Sequence, residues 1–153
     1  QLPNTYDVVA IPDSIGYMTT IQDLRKTIIN AYNHLNIGGI LVIVAHMRDH
    51  FKENNFVYTG KSKNTDITVF ENNYITGKNS YEATIVYLIR HKKKLKVFTD
   101  KHTIGLFDLK TWNTLLNEKY FKVKKINLNH TYDRYMLEKG EYPQILFICT
   151  KTK

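Results

Sequence analysis

The stretch YDVVAIPDSIGYM, residues 6–18, joins two patterns that meet at a proline. Residues 6–11 form a continuous apolar run of the kind buried on both faces of a parallel sheet. Pro12 stops the run, Asp13 and Ser14 sit at its tip, and Gly16 turns the chain toward a helix. A strand that ends at a small polar loop before a helix is how an open α/β sheet presents a ligand site.

Downstream the period changes. Ile21, Leu24, Ile28, Ala31 and Leu35 recur at threes and fours, the spacing of an amphipathic helix. Thr19 and Thr20 both offer an N-cap, and Gln22 or Asp23 completes a capping box. Gly38 and Gly39 are expected to end the helix, and residues 40–46 follow as a second buried strand. Residues 6–46 therefore predict one parallel, right-handed strand–helix–strand unit.

From about residue 55 to 107 the helical period disappears. Residues 56–60, 67–75, 81–90 and 95–107 read as strands separated by turn compositions, which predicts an antiparallel meander. Tyr81, Ala83, Ile85, Tyr87 and Ile89 fall on one face of the third of these. After Asp108 a helix is predicted again from Leu109, Trp112, Leu115 and Leu116, closing at Tyr120 and Phe121. Strands at 123–129, with Val123 and Ile126 or Leu128 inward, and at 145–150 finish the chain, with a polar, Tyr-rich loop at 130–143 between them.

The totals limit the function classes. The 153 residues fit one domain with a proper core. The longest purely apolar run, residues 40–45, is far short of the roughly 18 residues of a spanning helix, so no membrane partner is expected. A single cysteine, Cys149, without a CxxC or HxxxH pair, predicts buried packing, no metal site and a reducing, cytoplasmic setting. Lys+Arg 22 against Asp+Glu 14 gives a net charge of +8, but the lysines are scattered. Their one dense cluster, residues 91–94, sits at a hairpin turn, which argues for surface charge over a nucleic-acid footprint.

Four segments in order resemble class I S-adenosylmethionine-dependent methyltransferases. YDVVAIPDSIGYM, the helix after it and LNIGGILVIVAH are similar to that family's fourth strand, following helix and fifth strand. Leu35, Gly38, Gly39 and Leu41 match the family's Leu-x-Pro-Gly-Gly-x-Leu turn, with Ile37 in place of proline. The stretch DKHTIGLFDLKTWNTLLNEKYFKVKKI resembles the next helix and sixth strand, with Tyr120–Phe121 where the family has Gly-Phe. The β-rich insertion is similar to the extra antiparallel layer of the small-molecule branch, which includes amino-sugar N,N-dimethyltransferases and glycine-type N-methyltransferases.

The resemblance implies an α/β fold: the C-terminal part of a Rossmann-like methyltransferase sheet, parallel strand–helix–strand with an antiparallel last strand. Residues 1–54 and 108–153 would form that core, and residues 55–107 an inserted antiparallel meander serving as a substrate or oligomer layer. The family's glycine-rich loop has no counterpart, since the seven glycines contain no GxGxG. This implies that the first three strands precede the chain in a full-length enzyme. The chain alone is then expected to bind S-adenosyl-L-methionine poorly and to be inactive.

Residue by residue, the resemblance places Ile11, Pro12, Asp13, Ser14 and Tyr17 along the methionyl part of the cofactor. It places His102 facing the substrate pocket. His46 closes a strand at the ligand-binding edge, so His46 or His102 can act as a base where the acceptor arrives protonated. Arg48 and Arg134 can hold an anionic substrate group. Each has a plainer role as well: turn or cap for Asp13, packing for Tyr17, a satisfied sheet-edge ring for His46, surface charge for the arginines. The expected function is methyl transfer to a small molecule, at an amine, by a homo-oligomer formed through a sheet edge or the insertion. A non-enzymatic, basic, β-rich module binding nucleic acid or protein stays open as the alternative.

Overall fold

A computed structural model of the chain describes residues 3–117, 120–138 and 141–153. The first strand is β1, Tyr6–Ile11, followed by a 3-10 turn over Ser14–Tyr17 and helix α1, Ile21–Asn33. Between the two candidate caps the structure uses Thr20, whose Oγ1 accepts from the Asp23 backbone N–H at 3.1 Å and donates to the Asp23 carboxylate at 2.7 Å. Leu24, Ile28 and Ala31 form the buried stripe of α1.

The Gly38–Gly39 pair does not end this helix. It closes at Asn33, where His34 makes the cap, and strand β2, Leu35–Ala45, begins at once with Leu35 beside Tyr6. Tyr6 to Val8 spans two residues of β1 while its partner runs from Leu35 to Ile40, so the glycines lie in an irregular stretch inside the strand. Gly38 has a φ of +79°, and a Cβ at Gly39 would stand 2.9 Å from the Asn36 carbonyl.

β2 runs parallel to β1 and antiparallel to β8, Gln144–Lys151, which in turn pairs antiparallel with β7, Phe121–Leu128. The first sheet therefore has the order β1-β2-β8-β7. Helices α1 and α2, Leu109–Asn117, pack with Leu41, Ile43, Phe147 and Cys149 into the main core, where Trp112 stacks on Phe147 at 5.3 Å. Cys149 is fully buried, and burial pushes its thiol up to about 12, in keeping with packing rather than reactivity. Val123 joins this core, whereas Ile126, opposite Leu146, points to the other face. No helix among the described residues is long and apolar enough to cross a membrane.

The second sheet is the expected meander with longer strands: β3, Asn54–Ser62; β4, Thr65–Gly77; β5, Ser80–His91; β6, Lys94–Gly105. β6 stops at Gly105, and Phe107 instead bridges Met47, tying the end of the meander back to the end of β2. The polar loop is held in place as well, since Met136 bridges Phe56 and the Tyr142 N–H donates to Asp133 at 2.9 Å. The molecule is a mixed α/β fold of two sheets, with the inner face of the second set against the C-terminal ends of β1 and β2.

Candidate functional site

Strand alternation builds one wall of the site. Registers across β3 to β6 put Tyr58, Glu71, Tyr81, Ala83, Ile85, His102 and Ile104 on the same face. All of them line a cavity of about 260 Å³. The opposite wall comes from the first sheet: Asp13 and Ile15 to Tyr17 after β1, Val44 to His46 at the end of β2, and Gln144 at the start of β8. Tyr132 and Tyr142 close it from the ordered loop.

Two glycines let the walls approach. A Cβ on Gly16 would stand 2.8 Å from Ile104 Cγ2, and one on Gly105 only 2.1 Å from the Met18 carbonyl oxygen. The contact brings Tyr17 to His102, its hydroxyl 3.2 Å from Nδ1. On the ring's other side Nε2 lies 3.2 Å from the Asp100 carboxylate. Asp100 favours the Nε2–H tautomer, so Nδ1 accepts from Tyr17. The result is a polar chain from the cavity to an exposed carboxylate.

His46 sits differently. Its ring lies 4.4 Å from Tyr142 and 6.0 Å from Phe51, and its Nε2 takes the Gln144 amide at 3.1 Å. Loss of hydration pushes its pKa down to about 4, with the Pro143 carbonyl acting weakly in the opposite direction. At neutral pH it is an uncharged, weakly basic wall residue.

At the far end Glu71 is held by two donors, the Tyr58 hydroxyl at 3.1 Å and the Asn73 amide at 2.9 Å. Tyr142 and Tyr81 are hydrogen-bonded to each other, and Phe51 packs on Tyr81 at 4.5 Å. Burial is the first cause that raises the phenols of Tyr58, Tyr81 and Tyr142 above their ordinary range; the Glu71 charge comes next at Tyr58, and Tyr81 comes before Glu71 at Tyr142. These hydroxyls stay protonated.

Of the residues singled out from sequence, the structure gathers Asp13, Tyr17, His46 and His102 around the cavity. Ile11 packs against the main core, and Pro12 and Ser14 are exposed outside the lining. Arg48 donates to the Gly77 carbonyl at 3.0 Å, and Arg134 lies over the Tyr135 ring at 4.7 Å; neither lines the cavity. Glu71, Tyr58, Tyr81 and Tyr142 were not singled out. Their signal was available for β4: on a face carrying Ile67, Val69 and Ile75, the polar Glu71 and Asn73 interrupt the apolar series.

No family model matches the sequence, and no curated protein matches it. Solved structures do. The amino pentose methyltransferase CalS10 from Micromonospora echinaspora, solved with S-adenosylmethionine bound, is 14% identical with a TM-score of 0.76. That match covers 99% of this chain and 61% of CalS10. The sugar N-methyltransferase KedS8 from Streptoalloteichus is 15% identical, TM-score 0.77, over 100% of this chain and 59% of that one. DesVI from Streptomyces venezuelae is 17% identical, TM-score 0.80, over 99% and 61%. The chain thus has, over essentially its whole length, the fold found in about three fifths of each of these three proteins.

Proposed function

We propose that the chain forms the acceptor side of an S-adenosylmethionine-dependent enzyme that transfers a methyl group to a small molecule, at an amine. The observation that supports this most is the tyrosine-lined cavity at the ends of β1 and β2, the edge where open α/β sheets receive ligands. It occurs in a chain with the fold of sugar N-methyltransferases.

The residues present suit the methyl-bearing end of the cofactor. The Asp13–Tyr17 loop and the end of β2 would hold it, with Asp13 suited to a sulfonium. The buried Trp112 indole N–H in the cavity wall has no partner among the described residues and offers a donor. The chain contains no GxGxG, so we place the contacts to the adenosine outside it. The 153 residues alone then bind the cofactor weakly and are inactive.

When bound, the cofactor supplies an electrophilic methyl group, and the chain's own task is to position the nucleophile and exclude water. His102 is the better of the two candidate bases. Its Nδ1 faces Tyr17 at the cavity and its Nε2 faces Asp100 toward solvent, a route by which a proton leaves the acceptor. His46, neutral and already accepting from Gln144, shapes the wall.

The outer face of the second sheet exposes Phe70 and Val97, and we assign the contact between copies there. Light scattering tests that assignment, with a dimer expected and a monomer against it. Calorimetric titration with S-adenosylmethionine tests the main reading. Micromolar binding is expected for the chain joined to a glycine-rich cofactor-binding half, and much weaker binding for residues 1–153 alone. No binding by either refutes it.

A further inference from the structure

The chain is strongly basic, with 22 Lys+Arg against 14 Asp+Glu. Its cavity is the opposite: among the described residues the lining holds two carboxylates, Asp13 and Glu71, and no lysine or arginine. The two histidines do not restore positive charge by position, since His46 is kept neutral by burial and His102 is already paired with Asp100. A cleft lined by one sign of charge concentrates ligands of the other sign.

The groups around Glu71 sharpen this. Its oxygens each accept one hydrogen bond, from Tyr58 and Asn73, which leaves the carboxylate with further lone pairs. Asn73 is fully buried behind the lining, so it fixes Glu71 from outside the cavity and leaves the carboxylate facing in. The rings of Tyr58, Tyr81 and Tyr142 supply aromatic faces in the same cavity. A carboxylate among aromatic rings is the chemistry that recognises an alkylammonium and rejects a neutral group of the same shape.

We propose that the cavity is a site for an organic cation, in which Glu71 and the rings of Tyr58, Tyr81 and Tyr142 receive the positively charged nitrogen of an alkylamine. This deepens the methyl-transfer reading by naming the side chains that receive the amine and the charged form in which it arrives, and rests on that reading only for the chemistry. There the bound ammonium first gives a proton to His102, and the lone pair so freed forms the new N–C bond while the S–C bond breaks and leaves its electron pair on sulfur. Positive charge passes from sulfur to nitrogen, and the nitrogen then sheds its proton. A carboxylate beside that nitrogen stabilises the charge as it develops.

The test needs no methyl donor. Choline and 3,3-dimethyl-1-butanol have the same shape, and only choline carries the quaternary nitrogen. Titration of each into the 153-residue chain, followed by amide NMR shifts, should show choline binding about tenfold or more tighter. Glu71→Gln should remove most of that preference. Glu82→Gln deletes the same charge from the outward face of β5 and should leave it intact. Equal affinities for the two ligands, no binding of choline, or equal effects of the two substitutions would overturn the proposal. Selective choline binding by a protein that does not bind S-adenosylmethionine would keep the cation site and remove the methyl-transfer reading.

Discussion

Lowering the pH should strain the fold at His46. In the native state the ring is enclosed by Tyr142, Phe51 and Tyr81 and its pKa falls from 6.5 to about 4. In the unfolded chain it takes up a proton near its ordinary value, so between these two pH values the unfolded state binds more protons. Stability must therefore fall as pH falls through that window, and above it His46 contributes no pH dependence. Each pH unit of difference corresponds to about 1.4 kcal/mol, so the loss from about pH 7.5 to about pH 4.5 is about 2.5 kcal/mol. That is a large fraction of the roughly 5–15 kcal/mol that separates a typical folded domain from its unfolded chain. Urea denaturation at both pH values, on the wild type and on His46→Gln, isolates the contribution. Gln keeps a hydrogen-bonding partner for Gln144 but does not titrate. The wild type should lose about 2.5 kcal/mol more than the variant over this range. Equal losses, or an NMR titration placing His46 near its unperturbed value of 6.5, would refute the burial argument.

Three further substitutions read other parts of the structure. Gly105→Ala puts a carbon 2.1 Å from the Met18 carbonyl oxygen, so the loop after β1 must retreat. Thermal unfolding should show a loss of about 1–3 kcal/mol, and the Tyr17–His102 contact should weaken, seen as a shift in the His102 ring resonances. Lys151 donates to the Tyr32 and Leu35 carbonyls at 3.0 and 2.8 Å and lies over the Tyr32 ring at 4.1 Å. Lys151→Met should cost about 1–3 kcal/mol in denaturant unfolding by freeing those acceptors. Asp108 caps α2 by accepting from the Thr111 N–H at 2.7 Å, and Asp108→Ala should cost about 1 kcal/mol, while Asp108→Asn costs less.

The parallel unit was legible because its signals are local. A strand, a helical stripe and a second strand lie within residues 6–46 in the expected order. The apolar run of β1 does not make it a strand buried on both faces, however: it lies at the edge of its sheet, with Tyr6 and Val8 exposed. The Gly-Gly pair misled because glycine serves equally as a helix stop and as an irregularity inside a strand. What distinguishes the two is the pairing of Tyr6 with Leu35, a contact between distant residues. The cavity was half legible for the same reason. Asp13, Tyr17 and His46 stand just beyond strand ends that any open sheet exposes, whereas His102 lies inside β6 and was marked only by the family resemblance. Glu71 lies in mid-strand, and its role depends on which face of the meander meets the first sheet. Arg48 and Arg134 carried a general expectation for charged side chains, but local partners hold them, the Gly77 carbonyl and the Tyr135 ring.

The central claim is that the cavity between the two sheets receives the acceptor at the methyl-bearing end of the cofactor. A crystal structure of the chain joined to a glycine-rich cofactor-binding half, with S-adenosylhomocysteine bound, tests it most directly. The sulfur should lie beside the Asp13–Tyr17 loop, with its open side toward Tyr81 and Glu71. A sulfur bound elsewhere, or an open side turned away from these residues, would contradict it.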